Sequence, residues 1–266
     1  MSTLFLERPE GRIAYDLAGT GPLVVCVPGM GDLRAEYRFL AERLVAAGFR
    51  VATMDVRGHG ESDTTFTDVS PAAVGSDIVA LLESLDEPAF VVGTSMAAAA
   101  TVWAAAEAPR RVLGLVLAGP FVRDVPVSAF VRGMLRVLLA RPWGRAFWMR
   151  YYASLYPKAK PADFDRYRDA LRKNLSEPGR FNALRGMIRA SKQPCEARIP
   201  DVRAPTLVVM GTRDPDFPDA AKEAQEIAAR LHGELFLVDG AGHYPHAEMP
   251  DVVAPRIVSF LKQAHA

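Results

Sequence analysis

The sequence predicts an α/β protein: a mostly parallel, doubly wound sheet flanked by helices, with a helical insertion before the last strands. Three observations carry this. Short apolar runs such as Leu23–Val27, Leu113–Ala118 and Pro205–Met210 read as strands buried on both faces of a parallel sheet. Segments of helical spacing alternate with them, as in Tyr37, Leu40, Leu44 and Val45. The alternation stops at Gly119-Pro120 and resumes at Pro205. Half of the 266 residues are apolar, enough for one large core.

Taken in order, Arg12 to Leu17 alternates as a strand and Gly19-Thr20-Gly21-Pro22 turns it. Leu23 to Val27 ends at Pro28-Gly29-Met30-Gly31, a loop whose backbone can approach a ligand closely. Arg34 to Ala47 is a helix stopped by Gly48, and Arg50 to Met54 is the next strand. Asp55-Val56-Arg57-Gly58-His59-Gly60 follows, with His59 read as part of a hydrogen-bonded turn rather than as a base. Ser70-Pro71 opens a helix through Leu85 with proline at its first position. Phe90 to Gly93 is a strand and Met96 to Glu107 a helix. After the insertion come a strand to Met210, a helix from Ala220 to Leu231, a strand from Glu234 to Val238 and a helix from Val252 to Lys262.

The insertion differs in charge. Residues 121–200 hold 17 Lys/Arg and 6 Asp/Glu, a net of +11, whereas the remainder nets −10. This divides the chain into a core domain, residues 1–120 and 201–266, and a helical, aromatic-rich cap, residues 121–200. Most of its aromatics are expected to form its own core. Whole-chain charge is +1, which gives no footprint for nucleic acid. Cys26, inside an apolar run, reads as a buried small residue, and with Cys195 the only other cysteine a cytoplasmic setting is expected. The N-terminus lacks the basic-then-apolar pattern of a signal peptide, and no run approaches the roughly 20 apolar residues of a membrane span.

Chemistry points to Val91-Val92-Gly93-Thr94-Ser95-Met96-Ala97. A strand meeting a small residue, a serine and then an alanine-rich helix has the layout of a nucleophile elbow, with Gly93 and Ala97 at the two positions where a larger side chain would clash. The Met96 N–H, opening the helix, would face an oxyanion formed by attack of Ser95. Such a serine needs a base and a carboxylate to orient it. Asp214 and His243 each follow a strand, at the carboxyl end where parallel sheets gather ligands. Asp216 is a rival for Asp214 and His246 a rival for His243. His232 and His265 read as surface residues. No cluster has metal-ligand spacing and no Gly-x-Gly-x-x-Gly follows the first strand, so neither metal nor cofactor is expected.

With these residues in view, the chain resembles the α/β-hydrolase superfamily over essentially its whole length. The matching pieces are Pro28-Gly29-Met30-Gly31, Asp55 to Gly60, Gly93 to Ala97, Gly211-Thr212-Arg213-Asp214 and Gly242-His243. The resemblance implies Ser95 as nucleophile, His243 as general base and then acid, Asp214 as orienting carboxylate, and an oxyanion hole from the Met30 and Met96 N–H groups. One departure is Ala97, where the elbow commonly ends in glycine. The expected activity is that of a serine hydrolase cleaving a carboxylic ester or thioester of a lipophilic small molecule. Carbon–carbon bond hydrolysis, cofactor-free perhydrolysis and ligand-sensing with a partner are the alternatives. The basic cap suggests an anionic or carrier-bound substrate; the plainer reading, arginines solvating a helical insert, is preferred.

Overall fold

The computed structural model describes residues 3–124 and 128–265; residues 125–127, inside the expected insertion, lie outside them. One eight-stranded sheet runs through the molecule in the order β1-β2-β4-β3-β5-β6-β7-β8. Its strands are β1 (Leu4–Arg8), β2 (Gly11–Ala18), β3 (Leu23–Val27), β4 (Arg50–Met54), β5 (Ala89–Thr94), β6 (Val112–Ala118), β7 (Thr206–Gly211) and β8 (Glu234–Val238). The β1–β2 and β2–β4 pairs are antiparallel. Every later pair is parallel. Strands β3, β5 and β7 are buried at every residue, as their unbroken apolar runs require. Each Val or Leu so buried contributes about 1.5–3 kcal/mol.

Helices cover both faces, with α2 (Pro71–Ser84), α3 (Met96–Glu107) and α9 (Ala220–Arg230) on one side and α1 (Arg38–Ala46) and the last helix, from Pro250 to His265, on the other. Ser70 caps α2, its hydroxyl accepting from the Ala73 N–H at 3.3 Å, and Pro71 sits at the first position, where a missing N–H costs nothing. Ala97 to Ala100 are fully buried, which lets α3 lie close on α2 and on the sheet.

Between β6 and β7 stand α4 (Ala129–Leu138), α5 (Gly144–Ser154), α6 (Phe164–Asn174), α7 (Arg180–Arg189) and α8 (Gln193–Glu196). Trp148, Tyr152, Tyr156, Phe164, Tyr167 and Phe181 form an aromatic core among them, joined by Tyr244 from beyond β8. The short α8 packs against α3 instead.

Three elements differ from the sequence reading. Strand β1 had no signal, because only Leu6 of its five residues is buried. The first helix opens as a 3₁₀ turn (Arg34–Tyr37) before α1. The final helix, α11 (Pro250–His265), starts two residues early and carries Pro255 inside it; a four-residue α10 (Pro245–Glu248) precedes it. Among the described residues, no helix is long and apolar enough to cross a membrane. Cys26 and Cys195 are buried and unpaired.

Candidate active site

Ser95 leaves β5 with φ 56° and ψ −123°, a region L residues avoid, so the elbow is strained as such turns are. Gly93 permits it. A β-carbon there would fall 2.3 Å from Thr101 Oγ1 and 2.6 Å from the Ala97 carbonyl oxygen. The Ser95 N–H donates to the Ala118 carbonyl at 2.9 Å, and the Ser95 carbonyl accepts from Phe121 at 3.1 Å, fixing the turn against the end of β6. The pairing of Val27 with Gly93 brings the loop after β3 alongside, with Gly29 against the Ser95 side chain. Neither the Met30 nor the Met96 N–H makes a protein hydrogen bond among the described residues.

The loops after β7 and β8 are stitched together. Thr212 N–H donates to the Val238 carbonyl at 3.1 Å and Arg213 N–H to the Ala241 carbonyl at 2.9 Å. This holds His243 Nδ1 2.7 Å from Asp214 Oδ2, while Asp214 Oδ1 accepts from the Asp216 N–H at 3.0 Å. Gly119, at φ 52°, lets His243 lie against the end of β6; a β-carbon would meet the His243 carbonyl oxygen at 2.6 Å. Burial works against charge on His243, but the Asp214 and Asp216 carboxylates outweigh it and push the imidazole up to about 9.

Ser95 and His243 open onto one cavity of about 340 Å³, within the range of small-molecule sites. Its walls are apolar: Met30, Phe121, Leu135, Leu139, Phe147, Trp148, Leu155 and Ile188, with Tyr151, Tyr244 and Asp216 the polar exceptions. No hydrogen bond joins Ser95 to His243 among the described residues, a looseness common before substrate binds. A family model described as serine aminopeptidase, S33 (Hydrolase_4), matches residues 20–250 of this chain.

The chain belongs to this α/β-hydrolase family. Human monoglyceride lipase is 26% identical over 249 residues, covering 86% of this chain and 78% of the lipase. The 2-(acetamidomethylene)succinate hydrolase of Mesorhizobium japonicum is 29% identical over 265 residues, covering 94% and 92%. A solved thermophilic esterase from Thermogutta terrifontis superposes with a TM-score of 0.81 over 100% of both chains at 24% identity, which shows the shared fold.

The rival residues of this α/β hydrolase separate by position. His246 lies outside the cavity, its Nε2 3.0 Å from Glu36 Oε1 and its ring stacked on Tyr37 at 5.0 Å. Glu36 Oε2 accepts from the Gly29 N–H at 3.0 Å, so Glu36 braces the loop beside Ser95. Next to it, burial and the neighbouring Glu36 push the Asp32 carboxyl up to about 7, against hydrogen bonds from Tyr167, Leu33 and Tyr244. His59 is buried in its turn, Nδ1 2.9 Å from the Arg57 carbonyl, and burial lowers it to about 4. His232 and His265 are exposed. Asp216 stays beside the imidazole, its Oδ2 3.6 Å from His243 Nδ1.

Donor atoms of Asp214, Asp216 and His243 lie within 4.8 Å of one another, close enough for a cation; the 2.7 Å contact from Nδ1 to Asp214 is the distance of a charge-assisted hydrogen bond, and the two atoms satisfy each other. The cavity walls contributed by α4, α5 and α7, and the part of Gly119, carried no individual signal in the sequence. Phe121 could have been found: it follows Gly119-Pro120 directly and stacks on Phe217 at 4.4 Å beside His243.

Proposed function

We propose that this hydrolase cleaves a carboxylic ester or thioester of a neutral, lipophilic small molecule through an acyl-enzyme on Ser95. The observation that carries the reading is the apolar cavity onto which a strained Ser95 and an Asp214-bound His243 both open.

In this mechanism His243 takes the Ser95 proton as Oγ attacks the carbonyl carbon. The developing oxyanion is held by the Met30 and Met96 N–H groups, which have no protein partner among the described residues. Asp214 keeps Nδ1 protonated and stabilises the imidazolium, which then protonates the leaving alcohol or thiol. Water, deprotonated by His243, attacks the acyl-enzyme; the bond to Ser95 Oγ then breaks, the imidazolium returns its proton to Oγ, and the acid is released. These steps use Ser95, His243, Asp214, the two backbone N–H groups and water.

Residues 121–200 act in this reading as the cap, since Leu135, Leu139, Phe147, Trp148 and Ile188 wall the cavity. A neutral substrate is preferred to an anionic one for two reasons. A negative group inside the cavity would meet Asp216, and several cap arginines are already engaged: Arg166 with Asp163, Arg172 with Asp169 and Arg180 with Glu177. Two unpaired, buried cysteines suit the cytoplasm, where thiols stay reduced.

The test is hydrolysis of nitrophenyl esters of increasing acyl length by wild type and Ser95→Ala, with mass spectrometry after a phosphonate inhibitor. A loss of about 10⁴-fold or more in kcat for the variant and an adduct on Ser95 are expected. An adduct on Ser95 without turnover of any ester would move the reaction to carbon–carbon bond cleavage or another non-ester bond. Full activity in Ser95→Ala would end the proposal.

A further inference from the structure

We propose that Asp216 is a second positioning residue for His243, held by the Tyr151 hydroxyl of the helical insert, so that the imidazole faces two carboxylates, one of them governed by α5. The proposal rests on the triad reading given above.

Four observations meet at Asp216. Its Oδ2 lies 3.6 Å from His243 Nδ1, the atom that Asp214 Oδ2 approaches at 2.7 Å. Its backbone N–H donates to Asp214 Oδ1 at 3.0 Å, so both carboxylates belong to one turn after β7. Its Oδ1 accepts the Tyr151 hydroxyl, which comes from α5. Its side chain is 12% exposed, and among the described residues it meets no lysine or arginine.

The turn alone does not account for the carboxylate. Asp216 supports Asp214 through its backbone N–H, which almost any residue there would supply. The side chain is an acid on the wall of a largely apolar cavity, where an unpaired charge is costly. Burial raises the Asp216 carboxyl above its ordinary range, and His243 is the first group that draws it back. The Tyr151 hydroxyl adds to that, and burial beside Asp216 keeps the phenol protonated as a donor.

The groups facing His243 are few. Asp214 and Asp216 come from the loop after β7, Glu36 acts at longer range from the 3₁₀ turn, and Ser95 is reached across the cavity. The rings of Phe121 and Tyr244 flank the imidazole at 5.9 and 5.1 Å. Asp216 is thus the one second-rank charge that depends on the insert. When α5 is seated, the Tyr151 hydroxyl favours the carboxylate form of Asp216 and holds the side chain beside Nδ1. If α5 lifts, the carboxylate loses its donor and either takes up a proton or turns to solvent. Asp216 also stands where a ring movement of under about 1 Å would bring Nδ1 to it at hydrogen-bond distance, so it can orient the base when Asp214 cannot.

The experiment is kcat/KM against pH, with a medium-chain nitrophenyl ester, for wild type, Asp216→Asn, Tyr151→Phe, Asp214→Asn and the double variant Asp214→Asn/Asp216→Asn. Thermal melts accompany each. Losing the Asp216 charge lowers the acid limb of the profile by about one pH unit or more. Tyr151→Phe, which keeps the ring and its packing on Trp148, lowers it less but in the same direction, and gives the reading should the Asp216 variant fail to fold. The double variant falls at least about tenfold below Asp214→Asn alone. An acid limb unmoved in Asp216→Asn, or in Tyr151→Phe where that variant alone folds, overturns the proposal, because packing damage changes the rate without moving the midpoint. The parent reading fails separately: wild type would then form no phosphonate adduct on Ser95.

Discussion

Substituting Gly93 by alanine tests how tightly the elbow is built. The added β-carbon would meet Thr101 Oγ1 at 2.3 Å, the Ala97 carbonyl oxygen at 2.6 Å and its carbon at 2.8 Å. The Thr101 hydroxyl can rotate, giving up its 2.9 Å hydrogen bond to the Ala97 carbonyl. The Ala97 backbone cannot rotate away; it belongs to the first turn of α3, which must retreat by a good part of an ångström. Overpacking of this kind costs about 1–3 kcal/mol. At about 2–4 °C per kcal/mol for a chain of this size, Gly93→Ala lowers Tm by roughly 2–12 °C. Ser95 and the Met96 N–H ride on the same turn, and an error of about 1 Å in a reacting group can cost about 100-fold. Calorimetry and ester kinetics measure the two effects. Adding Thr101→Ala removes the 2.3 Å contact but leaves both backbone contacts, so melting recovers in part and turnover stays low. Wild-type melting and turnover in Gly93→Ala, or full rescue of turnover by Thr101→Ala, would refute the reasoning.

Other consequences can be measured directly. In the role of base proposed for His243, kcat/KM rises with pH toward a midpoint near 9, because the imidazole must shed its proton to act. A pH-independent kcat/KM between neutrality and that midpoint contradicts this. The same shift acts on stability. A folded-state pKa raised from 6.5 to about 9 contributes stability that is full below the lower value and is lost as pH climbs through the higher. Denaturant titrations of wild type and His243→Gln converge across that window if this is right, and stay parallel if it is not. Asp77, buried, accepts from Arg57 Nε at 2.6 Å and Nη2 at 2.8 Å and from Arg8 Nε at 2.8 Å. Asp77→Ala leaves the largely buried Arg57 without its partner and costs about 3–5 kcal/mol in urea unfolding; a change below about 1 kcal/mol means the guanidiniums find water instead.

The sheet was legible where it is buried on both faces. Leu23–Val27, Phe90–Gly93 and Leu113–Ala118 announce themselves because every side chain must be apolar, whichever way it points. Strand β1 stayed hidden for the opposite reason: at the sheet edge Leu4 and Phe5 are more than a third exposed, and no pattern forces them. Positions of Ser95, Asp214 and His243 at strand ends could be read because each follows a strong strand within a few residues. Tyr151 could not, since its meeting with Asp216 joins residues 65 apart and depends on how α5 is seated. The motif Asp55 to Gly60 was legible as a unit. Its work is structural: the Asp55 carboxylate accepts the Glu61 N–H at 3.0 Å and pairs with Arg34, while Arg57 binds Asp77.

The carboxylate of Glu248 accepts the N–H groups of Lys158 and Ala159 at 2.7 and 2.8 Å through one oxygen and that of Gly242 at 2.6 Å through the other. The His243 N–H itself donates to the Leu155 carbonyl at 3.0 Å. The loop bearing the imidazole is therefore hydrogen-bonded to residues 155–159 and not only to the sheet beneath it. For anyone building chimeras, residues 121–200 are not an exchangeable module. A graft that swaps the whole stretch discards half of the scaffold of His243, whereas one that retains residues 155–159 and replaces α4 and the first turns of α5 leaves that scaffold intact while recasting the cavity walls.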